Sequence, residues 1–331
     1  MVTKVLVTGG AGFIGSHLTN ELLKKKYKVM VVDNLTTKGG IHYINPKSKF
    51  LKGDITSKIV IKKIKKWCPK IIFHLAAQSA GEPAYDDPKK DYLSNGYGTY
   101  LISELAKEIK AKKIIYTSSC AVYGSSVKKK INEKTPIKPD SIYGVSKYAG
   151  EMFIEQILKN TNTSTTIFRI FNTYGPGENL NFLKKGMISI YASYLWKKQP
   201  IIVKGSLERI RNFQYIDDVV EILIKSIKNK KLKKNETINL TNGKKVKIKK
   251  LIELILLVNK KSINKYKVKV MKGTPGDSFV FDASNKYLND KFNKYKFISL
   301  ESGLKKYFKW INKIPITSNL KKWHPLLDIF K

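Results

Sequence analysis

Lys4-Val5-Leu6-Val7-Thr8 runs without a break into Gly9-Gly10-Ala11-Gly12-Phe13-Ile14-Gly15, and a helical pattern follows from Ser16 to about Lys26. The order is strand, glycine turn, helix. The glycines fit two spacings, G-x-G-x-x-G at Gly10, Gly12 and Gly15 or G-x-x-G-x-x-G at Gly9, Gly12 and Gly15. Small residues let the backbone approach a pyrophosphate, whose charge is favoured at a helix N-terminus. A tight turn alone would need neither flank, whereas the strand and helix that the motif requires are both present.

Working outward, a second apolar strand, Val29 to Val32, ends in Asp33, eighteen residues after Gly15, with Asn34 beside it. A carboxylate there can hydrogen-bond ribose hydroxyls and repels a 2′-phosphate, so the expected cofactor is NAD rather than NADP. The third strand, Phe50 to Gly53, delivers Asp54 and Ile55 to the adenine edge, and the fourth, Ile71 to Leu75, runs into Ala76 and Ala77, whose small side chains leave room for a cofactor. Gly9, Gly12, Phe13, Ile14, Gly15, Asp33, Asn34, Asp54, Ile55, Leu75, Ala76 and Ala77 are therefore the expected cofactor contacts. A fifth strand, Lys113 to Thr117, leads to Ser118-Ser119-Cys120-Ala121, and a sixth, Thr165 to Ile170, leads to Asn172 and Pro176.

This alternation predicts an α/β fold, a Rossmann-type doubly wound parallel sheet with its site at the carboxyl ends of the strands. After Pro176 the alternation stops. Residues 1–172 are read as the cofactor domain, to which the chain returns at about 212–235; residues 173–211 and 236–331 form a smaller C-terminal substrate-binding domain. The stretches Lys228 to Asn235 and Tyr266 to Asp277 read as loops.

Composition excludes several classes. Hydrophobic residues make up 42% of the 331 and aromatics 11%, enough apolar material for a folded chain. The formal charge of +39 first suggests a nucleic-acid or anionic-membrane surface, yet only Arg169, Arg209 and Arg211 of the 64 basic residues are arginine. A nucleic-acid reader would cluster its charge and favour arginine, so the dispersed lysines are read as a solvated coat and no nucleic-acid partner is expected. No run reaches the roughly 18 apolar residues of a membrane span, and the N-terminus lacks a secretory apolar region, which predicts a cytoplasmic protein without a membrane partner. Two cysteines, Cys68 and Cys120, offer neither a disulfide framework nor a multi-cysteine metal site. His17, His42, His74 and His324 show no metal-ligand spacing, so no metal is expected and His74 is read as a core residue.

Tyr143-Gly-Val-Ser-Lys147 places a phenol and an ammonium four residues apart, on one face of a helix. A phenol with a pKa near ~10 is a poor base at neutral pH, and a neighbouring cation favours its phenolate. Beyond this pair Ala149, Met152, Phe153 and Ile157 share a side that suits packing on the sheet or on a second subunit.

With Thr8 to Gly15, Asp33, Asp54, His74 to Ala77, Ser119, Tyr143/Lys147, Arg169 to Asn172 and Arg211 to Asp218 in this order, the chain resembles the extended short-chain dehydrogenase/reductases. Within them it is similar to the NAD-dependent nucleotide-sugar epimerase/dehydratase family, most like the UDP-glucose 4-epimerases. The resemblance implies that Tyr143, aided by Lys147, takes a proton from a sugar hydroxyl as hydride passes to NAD, with Ser119 relaying the proton. It also implies that Lys147 holds the nicotinamide ribose, that Asn172 and Arg211 hold the nucleotide diphosphate, and that the enzyme works as a homodimer on a nucleotide-sugar substrate, inverting C4 through a transient 4-keto sugar. Dehydratases and decarboxylases of the family carry a carboxylate just after the residue matching Ser119. Here Cys120 and Ala121 stand there, which disfavours elimination. The alternative is a GDP-sugar 3,5-epimerase or reductase, in which a cysteine follows the catalytic serine by two; Cys120 is one residue after Ser119 and two after Ser118. The 4-epimerases also carry an arginine before a C-terminal Gly-Asp, where this chain has Lys272-Gly-Thr-Pro-Gly-Asp277, so the nucleotide stays open. A non-catalytic NAD-binding protein is disfavoured because Ser119, Tyr143 and Lys147 are all present.

Overall fold

The computed structural model describes residues 2–36, 43–125, 127, 129–262, 266–273 and 279–314. His42, His324 and the segment Thr274 to Asp277 lie outside the described residues. The strands are β1 (Lys4–Thr8), β2 (Lys28–Asp33), β3 (Lys49–Lys52), β4 (Ile71–His74), β5 (Lys113–Ser119), β6 (Ser164–Ile170), β7 (Asn172–Tyr174), β8 (Ile201–Lys204), β9 (Ile210–Tyr215), β10 (Asn235–Leu240), β11 (Lys245–Lys247) and β12 (Val268–Met271). In the first half the helices are α1 (Phe13–Lys24), α2 (Lys58–Trp67), α3 (Gly81–Asp86), α4 (Pro88–Asp91), α5 (Gly98–Glu108) and α6 (Ile142–Leu158). A π-helical stretch, Tyr92–Tyr97, joins α4 to α5. The second half adds α7 (Met187–Trp196), α8 (Ile216–Lys225), α9 (Ile248–Val258), α10 (Lys286–Lys291) and α11 (Leu300–Ile311).

Seven strands form the main sheet in the order β10-β6-β5-β4-β1-β2-β3, every pair parallel. Parallel strands covered on both faces must be apolar on both, and Val5, Leu6 and Val7 of β1 are completely buried. Val5 and Val7 look toward α1 and α8; Leu6 looks the other way, toward the layer of α2, α5 and α6. The chain reverses its direction of travel across the sheet at β1, which opens a crevice above the carboxyl ends of β1 and β4. The sequence reading ends the return to this sheet at about residue 235. In the structure β10, from Asn235 onward, is its edge strand, paired with β6.

The remaining strands build a smaller module beside that crevice. β7 pairs with β9 in parallel and β9 with β11 antiparallel, while β8 and β12 form a separate parallel pair. β12 lies in the stretch read as a loop; its Val270 and Met271 are more than half exposed, so the burial that makes a strand legible is absent. On α6 the sheet-facing residues are Lys147, Gly150, Glu151, Ile154 and Leu158. Met152 and Phe153 point outward instead, so the apolar side read from sequence is not the one that packs on the sheet.

Candidate active site

Two close approaches settle the glycine turn. Gly9 has φ +68°, and a Cβ there would lie 2.6 Å from the Ala76 backbone nitrogen; one on Gly15 would lie 2.2 Å from the Gly9 carbonyl oxygen. A Cβ on Gly10 would lie 2.8 Å from the Val31 side chain, and one on Gly12 would lie 3.3 Å from the Gly9 oxygen, so both spacings keep their glycines in the turn. α1 begins just after Gly12 with no side-chain cap and no acidic residue in its first turn. Its unsatisfied N–H groups and positive dipole end face the crevice, the arrangement that receives an anion.

Asp33 is tied into the same turn. Its carboxylate accepts the Ala11 N–H at 3.1 Å and the Leu35 N–H at 2.9 Å. Asn34 donates to Asp54 at 2.7 Å, and the Thr56 N–H and hydroxyl donate to the other Asp54 oxygen at 2.8 and 2.7 Å. Burial pushes the Asp54 carboxyl up, but these bonds outweigh it and hold the group below its ordinary value. Every residue read from the sequence as a cofactor contact lines one cleft of about 740 Å³. His74 lies beneath that cleft, completely buried, with Thr8 and Thr99 hydroxyls at 2.7 and 2.9 Å from its two ring nitrogens. Burial first, and then the Lys147 charge, push it down to about 3, so it is a neutral core residue. Among the described residues no three His, Cys, Asp or Glu side chains gather as metal ligands.

α6 brings Tyr143 and Lys147 to the cleft. Ser141 caps the helix by accepting the Gly144 N–H at 3.1 Å, which fixes the turn that carries Tyr143. The Ser119 hydroxyl, at the end of β5, neighbours the Tyr143 phenol and favours its ionised form. The sequence reading has Lys147 favouring the phenolate. In the structure burial dominates and holds the phenol well above its ordinary range, with the Ser119 hydroxyl opposing it. Lys147 is itself only 2% exposed, its ammonium 4.3 Å from the centre of the Tyr116 ring. Burial lowers it to about 7 against the pull of Asp91 and Glu151, so it is poised near neutrality.

Glu151 is the next step of the ladder that begins at Tyr143 and Lys147, and continuing the four-residue spacing would have found it. Its carboxylate accepts from Arg169 at 2.6, 3.0 and 3.2 Å and from the Ser118 hydroxyl. Arg169 also donates to the Tyr123 hydroxyl at 3.0 Å. Arg169 therefore braces α6 against β5 and β6 from behind the site.

A second cavity of about 300 Å³ opens between the sheet edge and the smaller module, and Tyr143, Cys120 and Asn172 line both cavities. Arg209 and Arg211 line the smaller one and are 5% and 3% exposed. Arg211 donates to the Ile210 and Phe279 carbonyls at 2.8 and 3.3 Å. Burial, followed by the Arg209 charge, lowers Arg211 to about 10. Lys185 and Lys204 add charge to the same walls. Two buried guanidiniums that repel each other concentrate positive charge on one wall, the chemistry that suits a multiply charged anion. Asn172 donates to the Asn212 carbonyl at 3.1 Å. Lys185, Lys204 and the buried Glu178 come from irregular or second-module segments, where no spacing marks them.

A model of the NAD dependent epimerase/dehydratase family matches residues 5–241. The chain belongs to that family. A protein of Methanocaldococcus jannaschii described as a putative UDP-glucose 4-epimerase is 35% identical over 252 residues, 76% of this chain and 81% of that one. Human dTDP-D-glucose 4,6-dehydratase is 28% identical, with 93% of this chain and 89% of the relative covered. Among solved structures, the UDP-glucose 4-epimerase of Thermotoga maritima with UDP-glucose aligns with a TM-score of 0.87 at 27% identity, covering 94% of this chain and 99% of that one.

As a member of the epimerase/dehydratase family the chain is an enzyme with NAD as its cofactor. The residues present fit that group. Gly9 and Gly15 have no room for a side chain, and at Gly12 a Cβ would meet only the Gly9 oxygen, at 3.3 Å, which leaves its outer side open for the backbone approach of a pyrophosphate. Cys120 and Ala121, which follow Ser119 in the sequence, both line the smaller cavity.

Proposed function

We propose that this enzyme inverts a nucleotide-activated hexose at C4, as a UDP-glucose 4-epimerase does. The observation that carries the reading is the place of the Tyr143 phenol, on the wall shared by a dinucleotide-sized cleft and a cavity faced by two buried guanidiniums. Ser119 and Tyr143 grip the hydroxyl of the reacting carbon, and Arg209, Arg211 and Asn172 hold the diphosphate that fixes its position. Bound NAD supplies a hydride acceptor that can later return the hydride. Tyr143 takes the hydroxyl proton and gives it back, with Ser119 as the bridging hydroxyl. Lys147, in its charged form, stabilises the phenolate during that exchange and reaches the nicotinamide ribose.

Two neighbours narrow the chemistry. Elimination requires an acid or base next to Ser119, and no carboxylate stands there. The Cys120 thiol is pushed up to about 11 by burial, which leaves it protonated and unsuited to the proton abstraction of a 3,5-epimerase. The 4-epimerase descriptions of the relatives from Methanocaldococcus jannaschii and Thermotoga maritima support the same reading. Tyr92, Tyr97, Val145, Met152 and Phe153 form an exposed apolar surface on α6 and the π-helical stretch, which we assign to a second copy of the chain in a homodimer. A cytoplasmic location suits an enzyme of this substrate class.

The test is incubation with UDP-, GDP- and dTDP-hexoses, following the sugar by NMR. Inversion at C4 without accumulation of NADH is expected. Loss of water, or inversion only at C3 or C5, overturns the reading.

A further inference from the structure

Behind Tyr143 and Lys147 lies a buried carboxylate that the mechanism does not use. Asp91 ends α4 where the chain passes into the π-helical stretch, and it is completely buried. Its Oδ2 accepts the Ser146 hydroxyl, and its Oδ1 accepts the Asn95 amide at 3.1 Å. Ser146 Oγ lies 3.1 Å from the Tyr143 carbonyl oxygen and 3.0 Å from the Asn95 amide nitrogen. Asn95 in turn accepts the Gln78 N–H at 2.8 Å and lies 3.0 Å from the Gln78 carbonyl. Gln78 lines the cofactor cleft, just after Ala76 and Ala77. One unbroken polar chain therefore joins the turn that carries the phenol to the wall of the cleft, with Asp91 at its centre.

We propose that Asp91 is a positioning residue of the reaction, fixing the Tyr143 turn through Ser146 and acting as the buried counter-charge of Lys147. Burying a carboxylate without an ionic partner is costly, and the site offsets that cost with hydrogen bonds and with the nearby ammonium. The titratable groups that feel its charge are Tyr143 and Lys147 on α6 and Tyr116 on β5, and Lys147 in turn faces Glu151 on α6 and the neutral His74 on β4. The negative charge of Asp91 favours the ammonium of Lys147 and disfavours the phenolate of Tyr143. Removing the charge while keeping the shape should move both ionisations to lower pH. Asp91→Asn does this, since an amide can donate to Ser146 Oγ, accept from Asn95, and leave Ser146 free to donate to the Tyr143 carbonyl.

The inference rests on the proposed function for its kinetic arm and not for its spectroscopic one. In Asp91→Asn the bell-shaped profile of kcat against pH should shift acidwards by about one unit, with KM for the nucleotide sugar unchanged. Tyr143 ionisation, followed with bound NAD as the tyrosinate absorbance difference between each protein and its Tyr143→Phe counterpart, should shift the same way without any substrate. Asp91→Ala, which also breaks the hydrogen bonds, should lower kcat at every pH. If the Asp91→Asn profile and titration both superpose on those of the natural enzyme, Asp91 is merely structural and the proposal falls. If the natural enzyme inverts no sugar, the proposed function fails, and the absorbance titration still decides the role of Asp91.

Discussion

The pair Arg169–Glu151 offers the sharpest energetic test of how the site is held. The two side chains are 8% and 1% exposed, and three hydrogen bonds of 2.6 to 3.2 Å join them. Glu151→Gln keeps the shape and one acceptor but leaves the guanidinium in a buried site with no matching charge. Breaking one partner of such a pair costs about 3–5 kcal/mol, because the remaining charge must stay desolvated. By contrast, breaking the exposed pair of Lys65 and Glu108, each about half exposed, should cost at most about 1 kcal/mol. Replacing both partners, Glu151→Leu with Arg169→Met, removes the stranded charge and should recover most of the loss. The Ser118 and Tyr123 hydroxyls, which bond this pair, lose a partner each and set the remainder. Urea unfolding of the natural protein, Glu151→Gln, Lys65→Met and the double variant measures these differences. A single Glu151→Gln change costing no more than the Lys65 change, or a double variant no better than the single, would refute the idea that charge compensation rather than packing holds α6 against β5 and β6.

Further outcomes follow from the same geometry. Tyr143→Phe should retain NAD and lower kcat by roughly 10²-fold or more, as loss of a positioned proton-transfer group does; turnover near that of the natural enzyme would remove the phenol from the chemistry. Gly15→Ala places a methyl 2.2 Å from the Gly9 oxygen, so the turn must move, and the NAD released on denaturing the purified protein should fall at least tenfold. Glu178 is pushed up to about 7 by burial, so the stability its protonated form contributes is present below about 4.5 and lost as pH rises through about 7. Glu178→Gln, always neutral, should therefore melt higher than the natural protein above pH 7, by up to about 3 kcal/mol in stability, and match it near pH 4.5. Phe153→Glu should give a monomer in sedimentation velocity if the exposed α6 face joins two copies, whereas an unchanged mass would place the interface elsewhere.

What the sequence determined by itself was whatever is written in local spacing. The strand, glycine turn and helix from Lys4 onward, Asp33 after the second strand and the four-residue step from Tyr143 to Lys147 each depend on neighbours within a few turns of chain, so the sheet, the cofactor and the reactive pair were legible. The tertiary structure decided what those groups are worth. Their spacing makes Tyr143 and Lys147 a phenolate beside a cation, but burial in the folded chain raises the phenol and brings the lysine down to about 7. Arg169, Arg209 and Arg211 share a residue type, yet one braces Glu151 while the other two line the smaller cavity. Asp91 reaches Ser146 across 55 residues, and no local pattern announces it. Desolvation and charge coupling depend on which segments come to lie together, and folding brings those partners within reach from far apart in the chain.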